Sequence, residues 1–189
     1  EENFPPDERR SYEGQKALMD CDNYCIYTVE DNDEVKAFFA VWFLDGFVFA
    51  EHLAVDKKYH NNGMGTELIK RVLNSLDVPM VLEIELESSS EIAKRRADFY
   101  RRLGFSVNSY EYEQPSYGEG KSAIPMHLVS YPDALDKEGF MNYKRVIFKE
   151  IYKRIVKMAL LLANRARVLS IYSCFKCPKI PHFVGWGIV

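Results

Sequence analysis

Seven consecutive residues, His60-Asn61-Asn62-Gly63-Met64-Gly65-Thr66, carry the first chemical signal in the chain. Before them stands Gly46 to Val55, rich in β-branched and aromatic residues. After them come apolar residues at 68, 69, 72, 73 and 76, the spacing of one helix face. The pattern predicts a strand, a glycine turn and a helix start. The first amide hydrogens of a helix have no partner within it and lie at its positive end. Glycines let that backbone approach a phosphate without a Cβ in the way. The run therefore predicts a site for a phosphate-bearing cofactor. A second signal is Met80 to Glu87, where Leu82, Ile84 and Leu86 alternate with Glu83, Glu85 and Glu87. On a strand this puts the three carboxylates on one face. They could serve as bases, attract a cationic substrate, or form the solvated face of an edge-like strand. A third, Cys174-Phe175-Lys176-Cys177-Pro178, is half of a zinc-knuckle spacing. With only His182 nearby the ligand set is incomplete, and no metal is expected.

These residues need a scaffold, and the pattern supplies one. Residues 1–22 read as a polar, partly helical segment. Strands are expected over 24–29, 35–44, 47–55, 80–87, 105–112 and 124–131, and helices over 64–76 and 92–103. Asp31-Asn32-Asp33 and Asp45-Gly46 are turn signals, and Gly104 stands where a helix-ending glycine belongs. Residues 138–168 form a long amphipathic stretch, and 170–189 an irregular tail. The order of strands, helix, strand, helix and strands predicts an α/β or α+β sheet with helices packed on it.

The 189 residues suffice for one domain with a real core. A net charge of -3 argues against a nucleic-acid binder, and charge is unevenly spread. Residues 141–189 hold ten Lys/Arg and one acid, residues 1–140 fifteen Lys/Arg and twenty-seven acids. The longest apolar run near the end, Met158 to Ala163, is far below the ~20 residues a membrane span needs, so no stable membrane insertion is expected. Four cysteines, no secretion signal and a core that needs no disulfides point to a reducing, cytoplasmic setting.

Two stretches together resemble the GNAT superfamily of acyl-CoA-dependent N-acetyltransferases. One is His60-Asn61-Asn62-Gly63-Met64-Gly65, against the family's Gln/Arg-x-x-Gly-x-Gly/Ala loop. The other is Ala97-Asp98-Phe99-Tyr100-Arg101-Arg102-Leu103-Gly104-Phe105, which is similar to its FYxxxGF signature. The resemblance covers about 20–132. It implies a mixed, mostly antiparallel central sheet with flanking helices, with acetyl-CoA as cosubstrate. No strand is evident before residue 4, where the family has its first, which fits either N-terminal truncation or divergence.

The resemblance further implies roles. The amides of Asn61, Asn62, Gly63, Met64, Gly65 and Thr66 would grip the pyrophosphate. Leu53 and Val55 would offer backbone groups to the pantetheine arm as an added strand does. His60 replaces Gln or Arg, keeping a hydrogen-bond donor but losing a fixed cation. Tyr100, a core aromatic by periodicity alone, becomes the candidate general acid for the departing thiolate. Glu51 is the first candidate base, followed by Glu85, with Glu83 close behind. Glu51 is expected to share a face with Phe49 and Leu53, to oppose His52, and to have its pKa raised beside an apolar cofactor. Lys94, Arg95 and Arg96 form either a contact to the cofactor's 3'-phosphate or a solvated helix face. Tyr117, in the loop 114–121, is either a substrate contact or part of a surface turn.

The expected activity is transfer of an acetyl group from acetyl-CoA to a primary amine, of a small molecule by preference, by direct attack. The alternatives are a protein N-terminal or lysine acetyltransferase, and a non-catalytic acyl-CoA-binding or sensing module. The expected organisation is a GNAT-like domain over 1–136, a basic amphipathic helix over 137–168, which would dock on the sheet or at a homodimer interface, and the tail 169–189.

Overall fold

The computed structural model describes residues 4–118 and 120–152. Strands β1 (Tyr24–Asp31), β2 (Glu34–Leu44) and β3 (Phe47–Val55) form two hairpins whose turns use positive φ at Asn32, Asp33 and Gly46. Strand β4 (Met80–Glu85) follows helix α2 (Met64–Asn74) and precedes α3 (Glu91–Arg102). The last strands are β5 (Ser106–Val107), β6 (Tyr112–Gln114) and β7 (Ile124–Tyr131). Helix α1 (Tyr12–Leu18) precedes the sheet, and α4 (Lys137–Ile147), continued by a π-helical turn over Phe148–Tyr152, follows it. The sheet order is β1-β2-β3-β4-β7-β5, with β6 also on β7. Among the described residues only β3 and β4 run parallel; the other pairs are antiparallel. This is the mixed, mostly antiparallel sheet with flanking helices that the resemblance implies.

Local chemistry sets the helix ends. Ser11, Ser90 and Asp136 accept backbone N–H groups at the starts of α1, α3 and α4. Gly104, at φ +89°, ends the turn after α3. Alternation along the strands then sorts apolar side chains into two cores. On one face Trp42, Phe47, Phe49 and Val81 meet Leu18, Phe140, Ile147 and Ile151. On the other, Val41, Val48, Ala50, Leu82 and Ile84 meet Leu68, Ile69 and Val72 of α2 and Ala97 and Tyr100 of α3.

Three expectations change. The strand expected over 105–112 is two short pieces, because Asn108 turns inward between them. Its Nδ2 donates to the Leu128 carbonyl (2.9 Å) and to Ser130 Oγ (3.1 Å), and its Oδ1 accepts from the Leu135 amide (2.8 Å). Strand β4 is central rather than edge-like, flanked by β3 and β7. The helix expected over 138–168 is seen to 147 and then as the π-helical turn. Residues 153–168, the tail, Cys174, Cys177 and His182 lie outside the described residues. The described part of the basic helix is docked on the sheet through Phe140, Ile147, Ile151 and Tyr152.

Two irregularities shape the site. Strand β3 is bulged: Ala40 pairs with His52 and Val41 with Ala50, so Glu51 is the extra residue. Strands β3 and β4 pair only from Val48 to Ala50 against Met80 to Leu82. Beyond that point they part, and Glu51 to Val55 on one arm and Glu83 to Glu85 on the other border a gap in the sheet.

Candidate active site

A pocket of about 360 Å3 opens at this gap. Glu51, Leu53, Glu83, Glu85 and Tyr100, all expected site residues, line it together with Arg95, Arg96, Gln114 and Tyr117. Residues 60–66 do not line it. They lie at the far end of β3, where the chain turns into α2.

That turn has the form a phosphate cradle needs. Gly63 stands at the N-terminus of α2 with φ +75°, and Asn61 also has positive φ. A Cβ on Gly63 would meet nothing within 4 Å, so this residue is set by backbone conformation and leaves open space in front of the helix. A Cβ on Gly65 would lie 3.4 Å from Val55 Cγ2, so Gly65 seats α2 closely on β3. The His60 ring donates Nε2–H to the Val55 carbonyl at 2.9 Å. That carbonyl, expected to be open to a pantetheine arm, therefore already has a donor. The residues fit a pyrophosphate held by the Met64, Gly65 and Thr66 amides, with Leu53 beside the parted strands.

The bulge corrects the expected facing of β3. Glu51 stays with Phe49, but Leu53 packs in the α2 core and His52 joins Glu51 on the other face. One extra residue reverses the alternation beyond it. Glu51 is ion-paired with Arg10, both side chains being 1% exposed. It also accepts from Trp42 Nε1 at 3.1 Å and Tyr117 Oη at 3.3 Å. Burial by itself would raise the Glu51 carboxyl, but the Arg10 guanidinium and then His52 hold it below its usual range. The expected rise does not occur, because a buried cation that spacing could not reveal sits beside it. Burial, partly offset by Glu51, lowers the His52 pKa. Its Nε2–H donates to the Glu8 carbonyl at 3.0 Å.

Glu83 is the opposite case. It accepts from the Tyr112 hydroxyl at Oε1 and from the Tyr152 hydroxyl at Oε2, the latter at 2.6 Å. Both donors are neutral. Burial pushes its pKa up to about 7, against the pull of the two phenols. Glu85 is ion-paired with Arg96 of α3, so Arg96 is partnered, and Arg95 and Arg96 line the pocket.

Tyr100 lies on the other side of the sheet, in the core of α2 and α3, and reaches the same pocket. Burial raises its pKa to about 12, which keeps the phenol protonated. The Tyr117 side chain is buried, not part of a surface turn. The Arg10 guanidinium lies 4.9 Å from its ring centre and 5.8 Å from that of Trp42. Lys121 bonds the Pro6 and Arg9 carbonyls, tying the segment before α1 to the loop before β7.

Arg10, Tyr112 and Tyr152, which contact Glu51 and Glu83, are residues that the sequence did not mark, whereas Gln114, on the pocket wall, opens the loop 114–121 singled out there. Arg10 belongs to a polar segment without periodicity, and only its near-complete burial distinguishes it. Tyr112 and Gln114 sit on a three-residue strand, too short for an alternation signal.

A family model for the acetyltransferase (GNAT) domain matches residues 22–107. A solved structure from Bacteroides thetaiotaomicron, assigned to the GNAT family of acetyltransferases, is 33% identical with a TM-score of 0.73 over 80% of this chain and 86% of its own. The ribosomal-protein-S18-alanine N-acetyltransferase of Escherichia coli shares the fold at 20% identity and TM-score 0.51, over 72% of this chain and 83% of its own. No curated protein matches the sequence.

Proposed function

The chain belongs to the GNAT acetyltransferase family, and we propose that it transfers an acetyl group from acetyl-CoA to a primary amine of a small molecule. The observation that carries this reading is the opposition of Glu83 and Tyr100 across the gap between β3 and β4. A carboxyl with a pKa near 7 reaches the gap from one face, and a protonated phenol from the other.

Acetyl-CoA supplies an activated thioester, so the protein must hold it, deliver a neutral amine, and protonate the leaving thiolate. The amides at the start of α2 hold the pyrophosphate, and the freed edge of β3 near Leu53 receives the pantetheine arm. Glu83 takes the proton from the acceptor ammonium. A base that titrates near the working pH combines adequate ionisation with adequate basicity. Glu51 is the poorer base, because Arg10 holds it as a paired carboxylate, and Glu85 is already engaged by Arg96 of α3. The free amine attacks the thioester carbonyl, the C–S bond breaks, Tyr100 protonates the departing thiolate, and the second proton shed by the nitrogen restores the phenol through solvent. Glu8, Glu51, Glu83 and Glu85 share the pocket wall with Arg95 and Arg96; with Glu51 and Glu85 ion-paired, Glu8 and Glu83 are the carboxyl groups of the wall left to meet a cationic acceptor. A pocket of about 360 Å3 matches a small molecule.

The test is thiol release from acetyl-CoA by the full chain, with a panel of polyamines, aminoglycosides and free lysine. Release that depends on the amine and collapses in Glu83→Gln is expected. No release from any amine, in a folded protein that binds acetyl-CoA, would favour a binding module without catalysis.

A further inference from the structure

We propose that Tyr152, on the π-helical turn after α4, is a positioning residue for Glu83, so that the C-terminal arm completes the active site. This rests on the assignment of Glu83 as the base.

Ile147, Ile151 and Tyr152 are all buried, at 3% exposure or less. In a regular helix the residue five positions on from Ile147 would be swung well away from its face. An i to i+5 turn brings it back under Ile147, which is how Tyr152 faces the sheet. Its ring is held against Tyr117, with centroids 5.3 Å apart, and against Phe148 at 6.1 Å. The hydroxyl thus meets Glu83 Oε2 from a direction fixed by packing.

Each oxygen of Glu83 has one phenol donor, and the two donors come from different parts of the chain. Tyr112 arrives from β6 within the sheet, Tyr152 from the arm beyond it. Among the described residues, the other charged or titratable groups that act on Glu83 are Glu51 on β3, Arg10 before α1, and Tyr117 in the loop before β7. A donor to the charged form stabilises it, so loss of the Tyr152 hydroxyl moves the titration of Glu83 upward. It also frees the carboxylate to rotate at the moment it must meet the ammonium. A residue that merely covered the sheet would do neither.

The experiment is an infrared difference titration of the full chain, following the C=O band of protonated carboxyl groups. A band titrating near pH 7 is expected in the wild type and absent in Glu83→Gln. In Tyr152→Phe, which removes only the hydroxyl, its midpoint is expected to rise by about one pH unit. Replacing Tyr152 by 4-aminophenylalanine weakens the donor without deleting it, and a midpoint between the two is expected. A midpoint equal to that of the wild type in either variant, folded as judged by its thermal transition, overturns the proposal. Failure of the base assignment reads out separately. Wild-type thiol release in Glu83→Gln would overturn the base itself. An unmoved band, with release collapsed in Glu83→Gln, would overturn Tyr152 alone.

Discussion

Glu51 and Glu83 border the same gap, on neighbouring strands and on the same face of the sheet, yet they respond to burial in opposite ways. Glu51 meets a guanidinium and is held below its usual range; Glu83 meets two phenols and rises to about 7. Burial alone does not set the protonation of a carboxylate. The sign follows from whether its partner carries charge. One arm of the splay therefore bears a paired anion and the other a carboxyl that titrates near neutrality, the proposed base.

The contrast can be broken from either side. The largest effect is expected from Arg10→Leu, which leaves Glu51 buried without its cation. A loss of about 3–5 kcal/mol in unfolding free energy is expected by denaturant titration, largely restored when Glu51→Leu is added. A single variant as stable as the wild type would show the pair to be dispensable. Next, Glu83→Gln should lower amine-dependent thiol release by about 10²–10³-fold, with acetyl-CoA affinity preserved in calorimetry. A comparable loss in Glu51→Gln instead would transfer the base to the other arm.

The two carboxylates also predict opposite effects of pH on stability. Glu83 has a raised pKa, so its contribution is present below its ordinary value of 4.5 and lost as pH rises through about 7. The loss is on the order of 3 kcal/mol. Glu51 has a lowered pKa, so its contribution is present above 4.5 and lost as pH falls through the lowered value. Unfolding titrations from pH 4 to 8 should show a decline in the wild type that Glu83→Gln flattens; identical profiles would contradict the raised titration. The smallest effect is expected at Tyr100. Tyr100→Phe should slow turnover about tenfold, since a thiolate leaves readily, with little change in cofactor affinity. An unchanged rate across pH would remove its role as proton donor.

The sequence was informative where spacing carries the signal. The glycine turn before α2, the alternation that sends Leu82 and Ile84 to one core and Glu83 away from it, and the order of elements were all legible. A bulge has no such signature. Nothing in Phe49-Ala50-Glu51-His52-Leu53 shows that one residue is extra, so the facing of His52 and Leu53 came out reversed. Long-range partners were hidden for the same reason. Arg10 and Glu51 are 41 positions apart, and Tyr152 and Glu83 are 69 apart. No local period connects them, and those partners separate the two carboxylates electrostatically, which is the ground for proposing Glu83 rather than Glu51 as the base. The strand broken at Asn108 is a further case, since its side-chain bonds to β7 and to Leu135 compete with a continuous ladder.

The most direct test of the functional reading is calorimetric titration of the full chain with acetyl-CoA, beside Gly63→Asp. At φ +75°, in front of the start of α2, an aspartate brings both backbone strain and a negative charge to the proposed pyrophosphate cradle. Micromolar binding in the wild type and a loss of at least about 100-fold in the variant are predicted. Equal affinity in the two folded proteins would contradict the cradle, and no binding to the wild type would contradict the acetyltransferase reading itself.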